Sequence, residues 1–435
     1  MQEIVVRFGI NEGATHSLYR EFIDFPPDGV KYITDSRAQT EDIESPRANL
    51  SVARLRRNEL VRSVIDRLFV RALPRENGSS GSRLILATGK FLMRLAGGKK
   101  NGIGPESSDF DLFHSAGSSM IELIPWIIDN DIRWIADFEH APSLFGYYGD
   151  WRKRIYRPAV QRILAKQLES DYCRKLLPWT EAGRQTLENL LPDKRIKEKL
   201  EVLRLAVRPA PKKPGDLEKH DSIKILFIGS SNFMGEFWSK GGYEVLEAYK
   251  RLREKLGEQI ELTFRCWMPE ELRKKYGGIE GLRTITEYLP KQSFERLFWE
   301  SDIFLFPSHN TPGMALLDAM RFGLPIVTKD IWANRETVEH EVNGLLVEPS
   351  RNIPYYLPGF IPNWSGDDGP FLKYMRLHDE RVIEDIVLSV RRLVDDSSLR
   401  NRLGSTGKKM VEEGRFSIKQ RNTQLRRIYE EAARK

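Results

Sequence analysis

The chain has 435 residues, 40% of them apolar, which suits two α/β-sized domains with real cores. Its two cysteines, Cys173 and Cys266, are too few and too far apart for a disulfide framework or zinc ribbon, and the seven histidines form no H-x-x-x-H pair or Cys/His cluster. Net charge is +7, yet residues 151–208 alone hold 15 Lys and Arg against 7 Asp and Glu; this suits phosphorylated ligands or anionic lipid, and no nucleic-acid-binding motif accompanies it.

Residues 3–10, "EIVVRFGI", read as a strand with charges in it, without the apolar core of a signal peptide. No run of 18 apolar residues occurs anywhere, so no bilayer-spanning helix is expected. The low cysteine count suggests a reducing compartment, hence a cytoplasmic location, with an optional peripheral place on the inner membrane face. Residues 35–82 are basic, helix-like around 50–72, then loop-like at "PRENGSSGS". Further strands are expected at 83–88, 110–115, 132–138 and 201–206. Asp109-Phe110-Asp111 opens one of these strands and reads as structural, despite its likeness to a D-x-D metal motif. The basic stretch 150–168 carries Trp151, Ile155, Tyr156, Ile163 and Leu164 as its apolar members, with Pro158 interrupting. It reads either as a solvated helix face or as a surface that lies on an anionic membrane. Three N-x-S sequons, at Asn49, Asn77 and Asn363, read as chance.

Residues 207–222, "VRPAPKKPGDLEKHDS", combine proline, glycine and mixed charge, the composition of a linker. We therefore expect an N-terminal domain over 1–208, a linker over 209–221 and a C-terminal domain over 222–414. Beyond the linker, apolar runs recur at 224–229, 260–267, 283–289, 302–307, 324–328 and 344–347, with helical patterns such as 243–256 and 291–301 between them. Uniformly apolar strands alternating with helices indicate a doubly wound parallel sheet covered on both faces. Residues 351–371, rich in Pro, Gly and aromatics, break that rhythm. They read as a packed surface loop or as a lid that contacts an acceptor.

Two loops carry the chemistry. At 302–328, strand, "PSHNTPG", helix and strand follow one another, so backbone N–H groups from Met314, Ala315 and Leu316 lie at a helix N-terminus behind Gly313. Asp318, one turn in, is suited to two vicinal ribose hydroxyls. At 227–249, strand, long polar loop, Lys240-Gly241-Gly242 and helix present a second such terminus with an ammonium beside it. Neither matches a P-loop or a dinucleotide fingerprint. Each alone is equally an ordinary capped helix; two from one sheet point to a diphosphate ligand.

These residues resemble a GT-B glycosyltransferase, specifically family 4, the large retaining group. The motifs are Gly229, Lys240-Gly241, "LEAY" (246–249), "EYLPKQSFERLFWESDIFLFPS", Gly313, "LLDAM" (316–320), "GLPIVT" (323–328) and "NRETVEHEVNGLLVEP" (334–349). The resemblance runs through 222–435; in the first half only "DLFHS", "WIADFEH" and "LLPWTEAGRQTL" carry it. It implies an α/β GT-B fold of two Rossmann-like doubly wound domains facing a cleft: an N-terminal acceptor-side domain, a C-terminal donor-nucleotide domain, and a last helix (415–435) packing back toward the N-terminal domain.

It further implies hexose transfer, with retention, from a nucleoside-diphosphate sugar to a glycan or lipid-linked acceptor. It implies no cofactor and no metal. His140, Lys240 and Asn310 are then the catalytic residues; Gly13, Gly229, Ser230, Lys240, Gly313, Met314, Ala315, Leu316 and Asp318 hold the donor. His140 matches a histidine that lines the family's donor-sugar site, with Glu139 a weaker neighbour, while His309 has no counterpart and reads as structural. Two departures stand out: the family's Glu-x(7)-Glu pair appears as Asn310 and Asp318, and its Arg after Gly229 appears as Ser230. They leave room for a rival, a degenerate subunit that binds or scaffolds. Another enzyme of the same fold, an epimerase or phosphorylase, is a second alternative.

Overall fold

The computed structural model describes residues 3–9, 17–33, 110–116, 132–145, 151–217, 220–229, 236–310, 313–363 and 370–434. Expectations for Gly13, Ser230, Asp109, the 83–88 strand and the 35–82 stretch lie outside them.

Five strands form the first sheet: β1 (Ile4–Gly9), β2 (Val30–Ile33), β3 (Leu112–Ala116), β4 (Trp134–Phe138) and β5 (Cys173–Pro178). Their order is β2-β1-β3-β4-β5, and every pairing is parallel. β3 and β4 are buried at every position, because helices cover the sheet. The second sheet holds β6 (Ile223–Ile228), β7 (Ile260–Arg265), β8 (Leu282–Ile285), β9 (Ile303–Phe306), β10 (Ile326–Lys329) and β11 (Gly344–Val347). Its order, β11-β10-β9-β6-β7-β8, is again wholly parallel and reverses direction between β6 and β9. A crevice at the carboxyl ends of β6 and β9 is where such a sheet takes ligand.

One expected strand is corrected. Residues 201–206 run extended but form no ladder. Glu201 N and Leu203 N bond to the carbonyls of Leu176 and Pro178, and only isolated bridges occur at Leu200 and Val207. The apolar alternation there serves to bury Leu203 and Ala206 at the crossing between the domains.

Pro158 divides the basic 150–168 stretch into two helices, Trp151–Arg154 and Pro158–Glu169, and sits at the first turn of the second, where its missing N–H costs nothing. Trp151, Ile155 and Leu164 belong to the N-terminal core. Lys153, Arg157, Arg162 and Lys166 are its exposed basic side chains, while Arg154 is buried and donates to the Phe145 carbonyl.

Chain crossings join the domains at Val207 and Ser417, which bridge each other. After the second crossing, the Ile418–Ala433 helix lies against β1, β3 and β5. Its Tyr429 hydroxyl meets Tyr32 Oη at 2.9 Å and His114 Nδ1 at 2.7 Å. His114 Nε2 in turn lies 3.0 Å from Asp137 Oδ1, and Trp179 Nε1 donates to Asp137 Oδ2 at 2.7 Å. This buried polar chain threads the N-terminal sheet from the last helix to the cleft.

The aromatic insertion makes a third link. Its β12 (Tyr356–Leu357) and β13 (Ile361–Pro362) form an antiparallel hairpin. Ile361, fully buried, sits in the core of the N-terminal domain. Tyr156 Oη donates to the Pro358 carbonyl at 2.7 Å, and Asn189 Nδ2 to that of Gly359 at 3.1 Å. Of the two readings offered by its composition, packing is what the structure displays, and the packing is against the other domain.

Candidate active site

The donor side is built from two loops zipped together. His309 N donates to the Ser239 carbonyl at 2.8 Å. Gly241 has φ +80°, and a Cβ there would come within 2.3 Å of the Pro307 carbonyl oxygen. Only glycine meets both demands, and the contact brings Lys240 to the end of β9. Lys240 Nζ donates to Asn310 Oδ1 at 3.2 Å, and Ser308 Oγ donates to the same oxygen at 2.7 Å. Two of the expected site residues thus touch.

Gly313 starts the Met314–Arg321 helix with φ +40°, and nothing lies within 4 Å of where its Cβ would be. The approach to the first backbone N–H groups, from Met314 to Leu316, is open on that side. Gly313 has no side chain to cap this helix, so among the described residues those donors are left for a ligand or for water. Gly229 closes β6 and donates its N–H to the Arg265 carbonyl at 2.9 Å.

Asp318 lies one turn in and forms an ion pair with Arg321 Nε at 3.0 Å. Burial pushes its carboxyl up to about 6; Arg321 opposes the shift, while Glu21 of the N-terminal domain and Glu295 add to it.

Behind the loops is a cluster that sequence reading did not assemble. Glu244, Lys329, His309 and Tyr355 are all buried. Glu244 Oε1 lies 2.7 Å from both Lys329 Nζ and His309 Nε2, and Tyr355 Oη is 3.1 Å from His309 Nδ1. Burial alone would raise the Glu244 carboxyl; Lys329 and His309 more than reverse this and hold it well below its ordinary range. Burial, and then Lys329, lower the His309 pKa, so the ring is neutral near pH 7. A signal existed: Lys329 ends a strand buried at all four positions. His309 lies within this cluster, next in sequence to Asn310.

Across the cleft, His140 follows β4 and is fully buried, packed edge-on to Trp332 with ring centroids 5.8 Å apart. Burial lowers its pKa, against the pull of Glu139. Trp332 has φ +49°, strained for a bulky residue, and its N–H donates to Tyr356 Oη at 2.7 Å. Glu336 reaches across the domains: its two carboxylate oxygens accept from Glu181 N and Ala182 N, each at 2.8 Å, at the start of the Glu181–Leu190 helix. A small cavity of about 50 Å³ lies in the cleft between these parts, bordered among others by Glu139, Trp179, Gly313, Leu316, Trp332 and Glu336. Sequence reading missed both tryptophans and Glu336. Among the described residues, no three His, Cys, Asp or Glu side chains gather as metal ligands.

Two parallel-sheet domains around a cleft, with helix N-termini and an ammonium on the C-terminal side, define a protein of the GT-B class. Residues 223–354, within the C-terminal domain, match the family described as Glycosyl transferases group 1. The chain is similar to the O-antigen biosynthesis protein RfbC of Myxococcus xanthus, 29% identical over 146 residues, 32% of this chain and 10% of that one. It is similar also to the amylovoran biosynthesis glycosyltransferase AmsK of Erwinia amylovora, 29% identical over 161 residues, 34% of this chain and 38% of the relative. The likeness therefore spans well under half of these relatives. Among solved structures, a glycosyltransferase from Rickettsia africae aligns over 99% of this chain and 98% of its own, with TM-score 0.59 and 12% identity. Anabaena Alr3699/HepE, solved with UDP and glucose, aligns over 98% and 99%, with TM-score 0.56 and 12% identity. At such identities the likeness establishes the fold.

Proposed function

We propose that this protein is a glycosyltransferase that moves a hexose from a nucleoside-diphosphate sugar to a glycan or lipid-linked acceptor, with retention. The observation that carries the reading is the meeting of Lys240 and Asn310 beside an uncapped helix start. As the glycosidic bond breaks, charge grows on the leaving diphosphate. Lys240 and the N–H groups from Met314 onward stabilise it, each fixed donor contributing on the order of a few kcal/mol where water is excluded. They take the part a metal ion plays in other sugar transferases, so the reaction proceeds without one. Asn310 and His140 hold the sugar between the domains. The names of the relatives, one of O-antigen and one of amylovoran biosynthesis, and the UDP and glucose of the Anabaena structure support this reading.

No helix among the described residues is long and apolar enough to cross a membrane. We place the protein in the cytoplasm, with peripheral contact to anionic lipid through the basic side chains of 150–168.

The test is thermal shift with UDP, GDP and ADP and their sugars in EDTA. At 100 times Kd, a ligand stabilises by about 2.7 kcal/mol. A metal-independent shift that Lys240→Ala and Asp318→Ala abolish is expected. Absence of any shift would instead favour a scaffold subunit, a role to which the amide at Asn310 also lends itself. Because Asp318 titrates near 6, nucleotide affinity falls as pH drops through about 6, and Asp318→Asn flattens that profile.

A further inference from the structure

Arg265 is the last residue of β7, at the carboxyl edge of the C-terminal sheet, in register with Ile228 and Ile285 on either side. Only 6% of it is exposed. Its guanidinium lies 4.8 Å over the Phe294 ring, and Nε has no hydrogen-bond partner. Among the described residues it has no ion pair. Burial lowers its pKa, with only weak compensation from Cys266, Tyr288 and Glu287. The other buried cations near the site are paired: Lys329 with Glu244, and Arg321 with Glu295 and Asp318. Among the described residues, a buried guanidinium nitrogen without a partner destabilises the empty fold, and a ligand that completes its hydrogen bonds removes that cost.

What that ligand offers follows from geometry. With Phe294 packed against the guanidinium carbon, the in-plane N–H groups of the fork are what a ligand can bond. A flat partner with a carbonyl acceptor fits. Glu287 and Tyr288 are in the loop between β8 and the Lys291–Trp299 helix, beside this group, and a carboxylate there accepts a ring N–H. Guanine offers O6 and N7 to the fork and N1–H to an acid; uracil offers a carbonyl and N3–H. Adenine has no carbonyl, its N7 is flanked by an amino donor, and its N1 carries no hydrogen.

We propose that Arg265 recognises the carbonyl edge of a keto nucleobase, uracil or guanine, in the donor nucleotide. The assignment rests on the donor reading above and adds its base class. Arg265 is a specificity residue, remote from the transferred sugar.

The experiment measures Kd for UDP, GDP, ADP and inorganic pyrophosphate on the full chain, for wild type, Arg265→Met and Arg265→Lys. Wild type is expected to bind UDP or GDP at least ten times more tightly than ADP. Arg265→Met weakens the preferred nucleotide roughly 10- to 100-fold, and leaves ADP and pyrophosphate within twofold. Arg265→Lys restores part of the affinity. The ligand-free Tm of Arg265→Met stays level or rises, since an unpaired buried charge is gone, whereas a merely structural arginine would lower it. Wild-type preference for ADP, equal loss of all four ligands, or no loss in Arg265→Met overturns the proposal while the donor reading stands. Failure of wild type to bind any of the four overturns both.

Discussion

Each domain buries a histidine in a polar network, His114 within β3 and His309 just past β9, and the two are held in different ways. His114 sits in a chain of hydroxyls, an indole and one carboxylate that runs from the last helix to Trp179 in the cleft. His309 sits between a carboxylate and an ammonium, with a phenol beyond. The first arrangement depends on every donor finding its acceptor. The second depends on charge neutrality away from water. Hydrogen-bond defects typically cost ~1–3 kcal/mol, and an orphaned buried charge ~3–5 kcal/mol, so the C-terminal cluster is the more brittle.

Breaking the charge pair gives the largest effect. Glu244→Ala leaves Lys329 buried without its carboxylate and should cost about 3–5 kcal/mol in urea unfolding. The same pair sets an acid dependence. The Glu244 carboxyl is depressed in the fold from its ordinary 4.5, so its stabilisation is full above that pH and is lost progressively below it. Wild type should lose stability below about pH 4.5 more steeply than Glu244→Gln, read from urea midpoints at stepped pH.

Asp137→Asn sharpens the other side of the comparison. The amide cannot accept from both His114 and Trp179, so one donor is stranded, at about 1–3 kcal/mol. Trp179 fluorescence should change with it, because the indole loses its anchor. Tyr355→Phe is the mildest: losing one hydroxyl contact to His309 should cost ~0.5–1.5 kcal/mol, with a small drop in nucleotide affinity as the Asn310 loop loosens.

The difference also explains what could be read in advance. Strands such as "IFLF" announce themselves because both faces are covered, and Lys240-Gly241 and Gly313 stand out because tight turns and open helix starts demand glycine. Glu244 and Lys329 did not, since a lone charge in an apolar element looks like a surface position until its partner 85 residues away is known. Residues 201–206 were misread for the converse reason: Val202, Leu203 and Leu205 have strand periodicity, but their neighbours supply no ladder. His140 is singled out by motif position, while the contacts of Trp179 with Asp137 and of Glu336 with the 181–182 N–H groups span gaps in sequence that leave no local trace. Arg265 resembled any arginine at a strand end; only its burial without a partner sets it apart.

The hairpin at 356–362 bears on how the cleft works in time. Ile361 is a latch: parting the domains at that side withdraws a fully buried isoleucine into water. Exposing such a side chain costs about 1.5–3 kcal/mol, which alone holds the unlatched population to roughly 0.6–7%. Any parting of the domains at that side has this cost to meet, set by a contact remote from Lys240 and Asn310.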